Sequence, residues 1–366
     1  MNGPDHRAVE VAAKLALARH WLADSGAGAL RLRGVDWFAW LTAGGSSAVP
    51  LAAETGKAEV LVTAGDACIL TDEIEADRLR GEEVPPGFSF HATPWADTEW
   101  REQFVAAAAD GLPVLSDRPA PPEQALPAAA QQQRLRLRLG PDEQQRFRQL
   151  GAEAAAAMSE AMRAARPGWT ECELAGEGAR ALWRRGIEPA LVLAAGARRL
   201  ARYRHPRATA EPLGERAMLA LCARRHGLHA SLTRFVTFGA APLEQAELTT
   251  VEATALTACA PGNSLAAVYH ALLQADRPAG HPDAIRERHQ GGVTGYRARE
   301  MLASASSALR LEAGMAVAFN PGLQGIMLED TFLIGQHALE NLTVDPAWPA
   351  AIVQGRSRPL WLESAC

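Results

Sequence analysis

The spacing of apolar residues along the first quarter of the chain predicts a small domain that mixes helices and strands. Between residues 5 and 25 apolar side chains recur at three- and four-residue spacings, which predicts an amphipathic helix. Three short apolar runs follow, each bounded by Gly, Asp or Thr as strands usually are: Ala29–Leu32, Ala58–Val62 and Cys68–Leu70. A charged segment with helical character comes next, at residues 72–80. This alternation indicates an α/β domain.

The pattern breaks between about Ser116 and Gln133, where the sequence is rich in Pro, Ala and Gln and poor in large apolar residues. Prolines fix φ and remove backbone donors, so this stretch is typical of a connection between domains. A chain of 366 residues also exceeds the usual size of one domain. We therefore expect one domain over residues 1–135 and a second over residues 136–366.

The second domain has clear helix starts and then strand-like runs. Pro141 begins a long helix that ends before Pro167, and acidic residues follow at its positive end. Thr170 with Glu173 forms the pattern of a capping box, which predicts a second helix. Strand-like runs follow at residues 191–193, 217–223 and 228–238. The second domain is therefore predicted to be α+β.

Composition narrows the classes of function. The chain has 48% hydrophobic and 22% charged residues, as an ordinary globular protein does, and its net charge of -5 with a pI near 6.1 argues against nucleic-acid binding. Five scattered cysteines lack the spacing of a zinc site. No stretch approaches the ~20 apolar residues that cross a bilayer, and the first residues lack an apolar core of a signal peptide. We expect a cytoplasmic protein with no membrane partner.

Four segments carry a resemblance to a known family. They are RYRHPRAT at 202–209, AMLALCARRHGLHASLTRFVTFG at 217–239, HQGGVTGYRARE at 289–300 and VAFNPGLQGIMLEDTFLIG at 317–335. In order and spacing they resemble the signature blocks of the prolidase, aminopeptidase P and creatinase family. The resemblance implies a pita-bread C-terminal domain, α+β, behind a smaller creatinase-like α/β N-terminal domain. It also implies a homodimer.

Most of the family's metal-ligand positions carry other residue types in this chain. Metal-dependent members hold two divalent ions with two Asp, one His and two Glu, and the matching positions here hold Ala220, Ser231, Gly292, Asn320 and Glu329. A methyl group, a hydroxyl, a missing side chain and an amide supply almost no ligand strength to such ions. Only Glu329 keeps the family's residue type. We expect no metal and no other cofactor.

Five polar residues are the candidate catalytic set: His205, Glu329, Ser231, Asn320 and His289. His205 matches the histidine that assists the reaction in the family, and histidine suits general acid–base chemistry near neutral pH. Glu329 would orient His205 or hold a cationic group, and Asn320 and Ser231 would stabilise developing charge. Ser231 lacks the GxSxG turn of a serine nucleophile. His289 fits either a functional role or a tight turn.

Five further residues are the candidate substrate-binding set: Arg234, Arg299, Gln290, Glu300 and Thr233. The planar fork of arginine grips carboxylates at two points. We therefore expect a substrate with a carboxylate, as a small molecule or a peptide. The competing interpretation is that the arginines of these blocks are solvated surface charges, which is the usual position of arginine.

Three hypotheses for function follow. The first is a metal-independent hydrolase or lyase of a small carboxylate-bearing substrate with a carbon–nitrogen bond. The second is an inactive pseudo-peptidase that binds a peptide or protein partner in the inherited cleft. The third is an Xaa-Pro metallopeptidase with atypical ligands. An exposed apolar groove without a His–carboxylate contact would favour the binding protein, and an enclosed His–carboxylate contact would favour the enzyme.

Overall fold

Two compact units divide the chain, Met1–Arg136 and Leu137–Cys366. The computed structural model describes residues 4–126, 135–239, 241, 244–276, 283–287, 289–323 and 325–364. Within these ranges no helix is both long and apolar enough to span a membrane.

The first unit is one mixed sheet with helices. Its helices are α1 (Pro4–Ser25), α2 (Val35–Leu41), α3 (Ala76–Arg78) and α4 (Glu99–Ala108), and a π-helical turn at Leu79–Glu83 follows α3. Its strands are β1 (Ala29–Gly34), β2 (Thr55–Thr63), β3 (Ala67–Asp72), β4 (Ser89–Thr93), β5 (Val114–Ser116) and β6 (Gln124–Ala125). They lie in the order β4-β3-β2-β1-β5-β6. Helix α4 covers the sheet with Val105 and Ala109, which pack against Leu61 and Leu70. The predicted first helix and the first three strands are confirmed.

The predicted connection differs in part from what is observed. Its first part contains a strand, because β6 follows the end of β5 at Ser116 and pairs in parallel with β5. Glu123 in this segment accepts hydrogen bonds from the guanidinium groups of Arg31 and Arg33. These buried charges tie the segment to β1, which composition alone did not indicate. Residues 127–133 of the predicted connection lie outside the described residues.

The second unit has two main sheets and a layer of helices. Its helices are α5 (Pro141–Ala164), α6 (Glu171–Trp183), α7 (Ala197–Leu200), α8 (Glu244–Ala258), α9 (Leu265–Asp276) and α10 (Ala284–Glu287). The first sheet contains β7 (Glu188–Gly196), β8 (Arg216–Arg225), β9 (Leu228–Thr237) and β19 (Leu362–Glu363), in the order β19-β9-β8-β7. Thr170 caps α6, since its hydroxyl accepts the Glu173 N–H at 3.1 Å and Glu173 accepts the Thr170 N–H. The predicted helix starts and strands are confirmed.

The second sheet of this unit contains β10 (Gly291–Thr294), β11 (Met301–Leu302), β12 (Ala316–Phe319), β15 (Asp330–Ile334) and β16 (Leu339–Asn341), in the order β11-β10-β12-β15-β16. Short hairpins complete the unit: β13 (Gly322–Leu323) with β14 (Ile326–Met327), and β17 (Ala350–Val353) with β18 (Arg356–Pro359). The β8–β9 hairpin turns on His226 and Gly227, both with positive φ. That left-handed pair is the two-residue turn that suits the twist of a hairpin.

An isolated β-bridge joins the two sheets where β9 passes residue 329. Thr233 and Glu329 form an isolated antiparallel bridge, and the Thr233 N–H donates to the Glu329 carbonyl at 3.1 Å. Two residues away, the Thr331 hydroxyl accepts the Ser231 N–H and donates to the Ser231 carbonyl, at 2.8 and 2.9 Å. The sheets are therefore locked in register beside Glu329.

A buried network of charged side chains stabilises the same part of the second sheet, at the start of β15. Arg358 on β18 donates to Glu252 of α8 at 2.5 and 2.6 Å and lies 2.9 Å from Asp330. Arg234 donates to the other Asp330 oxygen at 2.7 Å, and the Thr343 hydroxyl donates to it at 2.6 Å. Burial raises the pKa of the Asp330 carboxyl, but Arg234, Arg358 and Thr343 together bring that pKa below its usual range. The network fixes the start of β15.

We predict that Arg358→Met destabilises the fold strongly, because Glu252 and Asp330 lose the cation that they share inside the protein. Breaking a buried ion pair from one side costs about 3–5 kcal/mol. The measurement is the free energy of unfolding from urea denaturation.

The matched control is Arg356→Met on the same strand, where the guanidinium makes a surface hydrogen bond to Thr257. This control should change the free energy of unfolding by no more than about 0.5 kcal/mol. Equal effects of the two substitutions would show that the buried network does not stabilise the unit.

Candidate functional site

The retained carboxylate, Glu329, lies directly before β15 and is almost fully buried, with 8% of its side chain exposed. Its backbone is held by the bridge to Thr233 and by the Arg234 guanidinium, which donates to the Glu329 carbonyl at 3.2 Å. The main chain at Glu329 is therefore fixed, and with it the point from which the carboxylate reaches its partners.

Two donors occupy the two oxygens of that carboxylate. Arg299 donates from Nη2 to Glu329 Oε1 at 2.7 Å, and the Thr233 hydroxyl donates to Oε2 at 2.9 Å. Arg299 also donates from Nη1 to the Ala298 carbonyl at 2.7 Å. The structure thus brings together three of the residues that the sequence singled out, and it joins Arg299 to Glu329 as an ion pair.

Two of the expected metal-ligand positions lie on the β8–β9 hairpin and carry no ligand group. Ala220 pairs with Thr233 and belongs to an apolar cluster that includes Met218, Phe235 and Met327. Ser231 is buried, and its backbone is tied to Thr331. Its ladder partner is Cys222, and burial raises the pKa of the Cys222 thiol. This hairpin is apolar where the metal-dependent pattern has carboxylates.

The third expected position, Gly292, has no room for a side chain. It lies in β10 between β11 and β12, paired with Leu302 and Ala318. A Cβ at Gly292 would lie 2.0 Å from the Met301 carbonyl oxygen and 3.0 Å from the Ala303 nitrogen. Contacts that short do not occur in folded proteins. A histidine at this position would force β11 away from β10.

Asn320 and Gln290 lie together where β12 ends and β10 begins, and both are buried. The Asn320 N–H donates to the Gln290 carbonyl at 2.9 Å, and the Gln290 amide donates to the Ala284 carbonyl at 3.3 Å. An amide such as that of Asn320 is a weak ligand for divalent ions compared with a carboxylate. These two residues shape the strand ends.

The residues present do not fit a dinuclear metal site. Four of the five positions lack a strong donor, and the oxygens of Glu329 already accept hydrogen bonds from Arg299 and Thr233. Among the residues that the structure describes, no group of three or more His, Cys, Asp and Glu could hold a metal ion. Two divalent cations would also leave most of their charge without compensation.

The two candidate histidines lie side by side on the surface. The ring centroids of His205 and His289 are 6.3 Å apart with the rings tilted by 32°, and both side chains are exposed. Within the described part of the chain, no hydrogen bond or ion pair joins His205 to a carboxylate. The expected orientation of His205 by Glu329 is therefore not observed, since Arg299 and Thr233 hold Glu329 instead.

Two residues of the expected substrate-binding set, Arg234 and Glu300, form hydrogen bonds within the protein. The Arg234 guanidinium is buried and donates to Asp330, to the Thr343 carbonyl at 2.9 Å and to the Thr233 carbonyl at 2.9 Å. Its position favours a role in holding the strands over the expected anchoring of a substrate carboxylate. Glu300 accepts the Tyr296 N–H at 3.0 Å and so shapes the turn between β10 and β11.

A small pocket lined mainly by apolar side chains, which we call the apolar pocket, was not indicated by the sequence. Leu200, Tyr203, Met218, Phe235, Leu323 and Met327 line it, and Arg204 lies at its side. Arg204 donates to the Leu323 carbonyl at 3.0 Å and pairs with Glu287. The only signal in the sequence was the alternation of apolar residues on β8 and β9, which predicts a buried face but not an opening.

The loop that supplies Tyr203 and Arg204 also carries exposed positive or protonatable groups. Arg202, His205 and Arg207 are exposed, and we call these three side chains the basic rim. None of them forms an ion pair with an acidic residue in the described ranges. Unpaired cations beside an apolar opening can accept an anionic group at little cost in lost contacts.

Comparison with known proteins agrees with this fold. A family model described as metallopeptidase family M24 matches residues 145–336. No curated protein matches the chain. Among solved structures, dipeptidase PepE from Mycobacterium ulcerans is similar at 20% identity with a TM-score of 0.76, over 92% of this chain and 96% of that one.

Two further solved structures show the same fold. The X-Pro aminopeptidase from Thermotoga maritima MSB8 is 15% identical with a TM-score of 0.76, over 95% of this chain and 99% of that one. The prolidase from Pyrococcus horikoshii OT3 is 17% identical with a TM-score of 0.73, over 90% and 98%. These likenesses establish the pita-bread architecture that the four segments predicted.

Proposed function

The chain belongs to metallopeptidase family M24, and we propose that it is a metal-independent member whose cleft binds a ligand that joins an apolar group to a carboxylate. The ligand would be a small molecule or a peptide. One observation carries the proposal: the retained carboxylate, Glu329, is held by Arg299 and Thr233 at 2.7 and 2.9 Å. A carboxylate paired in this way is not available as a metal ligand.

Electrostatics supports metal independence. In a site with several carboxylates, the ligands offset the charge of two divalent ions, but here one carboxylate faces one guanidinium and the pair is already neutral. Adding divalent cations would place unbalanced positive charge beside Arg299 in a largely buried site. The arrangement therefore favours a polar pocket without ions.

The apolar pocket and the basic rim support the choice of ligand. An apolar group of the ligand would pack against Phe235, Met218 and Met327. A carboxylate on the same ligand would pair with Arg202 or Arg207, whose forks suit two-point contacts. A ligand with both features would contact the apolar pocket and the basic rim, whereas a neutral ligand would contact only the pocket.

We propose binding as the first candidate function and catalysis as the second, because His205 is exposed and has no carboxylate partner in the described residues. This meets the criterion for a pseudo-peptidase more closely than the criterion for an enzyme. The expected homodimer stays a prediction.

We predict that N-acetyl-L-phenylalanine raises the melting temperature of the metal-free protein more than N-acetyl-L-phenylalanine amide does. The two probes share the apolar group and differ in the carboxylate. The double substitution Arg202→Gln and Arg207→Gln should weaken binding of the acid about two- to fivefold, as expected for exposed ion pairs. Thermal shift and calorimetric titration measure both effects.

Arg356→Gln, at a half-buried position on β18 whose guanidinium donates to the Thr257 hydroxyl, is the matched control and should leave binding unchanged. Equal stabilisation by acid and amide, or none by either, would contradict the proposed ligand.

A second candidate function is a metal-independent hydrolase of a carbon–nitrogen bond, favoured by the two neighbouring rings of His205 and His289. His205 would take a proton from water as it attacks the carbonyl carbon. His289 would give a proton to the leaving nitrogen as the carbon–nitrogen bond breaks. Water would be the only co-reactant, and the products would be an acid and an amine.

For this candidate we predict that His205→Ala lowers the release of phenylalanine from N-acetyl-L-phenylalanine by about 10²–10⁴-fold, the usual contribution of a general acid or base. Release of the free amino acid is measured with an amine-reactive dye. His337→Ala, an exposed histidine on the turn after β15, is the control. Unchanged turnover in the His205 variant, or no turnover in the unmodified protein, would eliminate this candidate.

A further inference from the structure

Two of the three guanidinium nitrogens of Arg299 donate hydrogen bonds to other groups of the protein. Nη2 donates to Glu329 Oε1 and Nη1 donates to the Ala298 carbonyl, both at 2.7 Å. The Nε–H is buried and has no hydrogen-bond partner within the described residues. The guanidinium therefore has fixed contacts at Nη1 and Nη2, and Nη2 carries the contact with Glu329.

We infer that Arg299 is a built-in cation that takes the electrostatic place of the metal ions, because its Nη2 neutralises the buried Glu329 carboxylate. The inference rests on the proposed metal independence and deepens it, because it names the group that replaces the ions.

Other cations near Glu329 are engaged elsewhere. Arg234 donates only to the backbone carbonyl of Glu329, and its charge is paired with Asp330 at 2.7 Å. Arg358 is paired with Glu252 and Asp330. Among the described residues, Arg299 is therefore the cation that forms an ion pair with the Glu329 carboxylate. An isolated charge at 8% exposure would be strongly disfavoured without it.

The surrounding backbone makes the replacement hard to reverse. Arg299 lies on the turn between β10 and β11, and the close pairing of these strands leaves no space for a side chain at Gly292. A histidine ligand at Gly292 would separate the strands that position Arg299. The close pairing of β10 and β11 thus both positions the Arg299 guanidinium and leaves no space for a ligand side chain at Gly292.

The test is a double-mutant cycle on the full chain with Arg299→Met, Glu329→Gln and both together, read as melting temperatures. Each single variant leaves one buried group without its partner and should melt roughly 5 °C or more below the unmodified protein. The double variant carries no unpaired charge and should recover at least about half of that loss. Arg286→Met, at a highly exposed arginine of α10, is the control and should not shift the transition.

A chemical rescue tests whether the charge of Arg299, and not only its volume, stabilises Glu329. Arg299→Ala leaves a space beside Glu329, and millimolar guanidinium should raise the melting temperature of this variant. It should not raise that of the unmodified protein or of the Arg299→Ala, Glu329→Gln pair. If Arg299→Ala does not fold, Arg299→Lys takes its place and should melt between the unmodified protein and Arg299→Met, because it keeps the charge without the fork.

Additive losses in the cycle, or a lysine variant no more stable than the methionine variant, would overturn the inference. Metal content is measured on the same preparations so that the two claims fail separately. Bound divalent ions would defeat the proposed function, whereas a metal-free protein with additive losses would defeat only the role given to Arg299.

Discussion

The ion pair between Arg299 and Glu329 is the interaction on which the rest of the site depends. It lies where the two main sheets of the second unit meet, beside the isolated bridge between Thr233 and Glu329. A buried carboxylate needs a cation, and a divalent ion or a guanidinium can supply it. Here the chain supplies its own. The loss of ligands at Ala220, Ser231 and Gly292 then removes no necessary charge from the fold.

The fold was largely predictable because its signals are local. The capping box at Thr170 and Glu173, the proline at the start of α5 and the apolar run of β9 each specify an element within a few residues. The order of four signature segments added the architecture. The connection after Ser116 was less predictable, since β6 is held by contacts between Glu123 and arginines some 90 residues away.

The site was predictable only in part, for a physical reason. The sequence could show which residue types stand at the family's positions, and so it indicated the missing ligands. It could not show partners, because Arg299 and Glu329 lie 30 residues apart and Arg234 and Asp330 lie 96 apart. Two arginines with the same predicted role therefore differ: one is buried in a network that holds β15, and the other faces the retained carboxylate. The apolar pocket also depends on tertiary packing, since its walls come from four separate segments.

We propose that this M24 protein uses the guanidinium of its own Arg299 where metal-dependent members use ions. Elemental analysis of the purified protein, after dialysis against Mn²⁺, Co²⁺ or Zn²⁺ and removal of free ions, measures it most directly. The account predicts far less than one ion per chain for each metal. About two ions per chain, as in a dinuclear hydrolase, together with cleavage of an Xaa-Pro peptide, would contradict it.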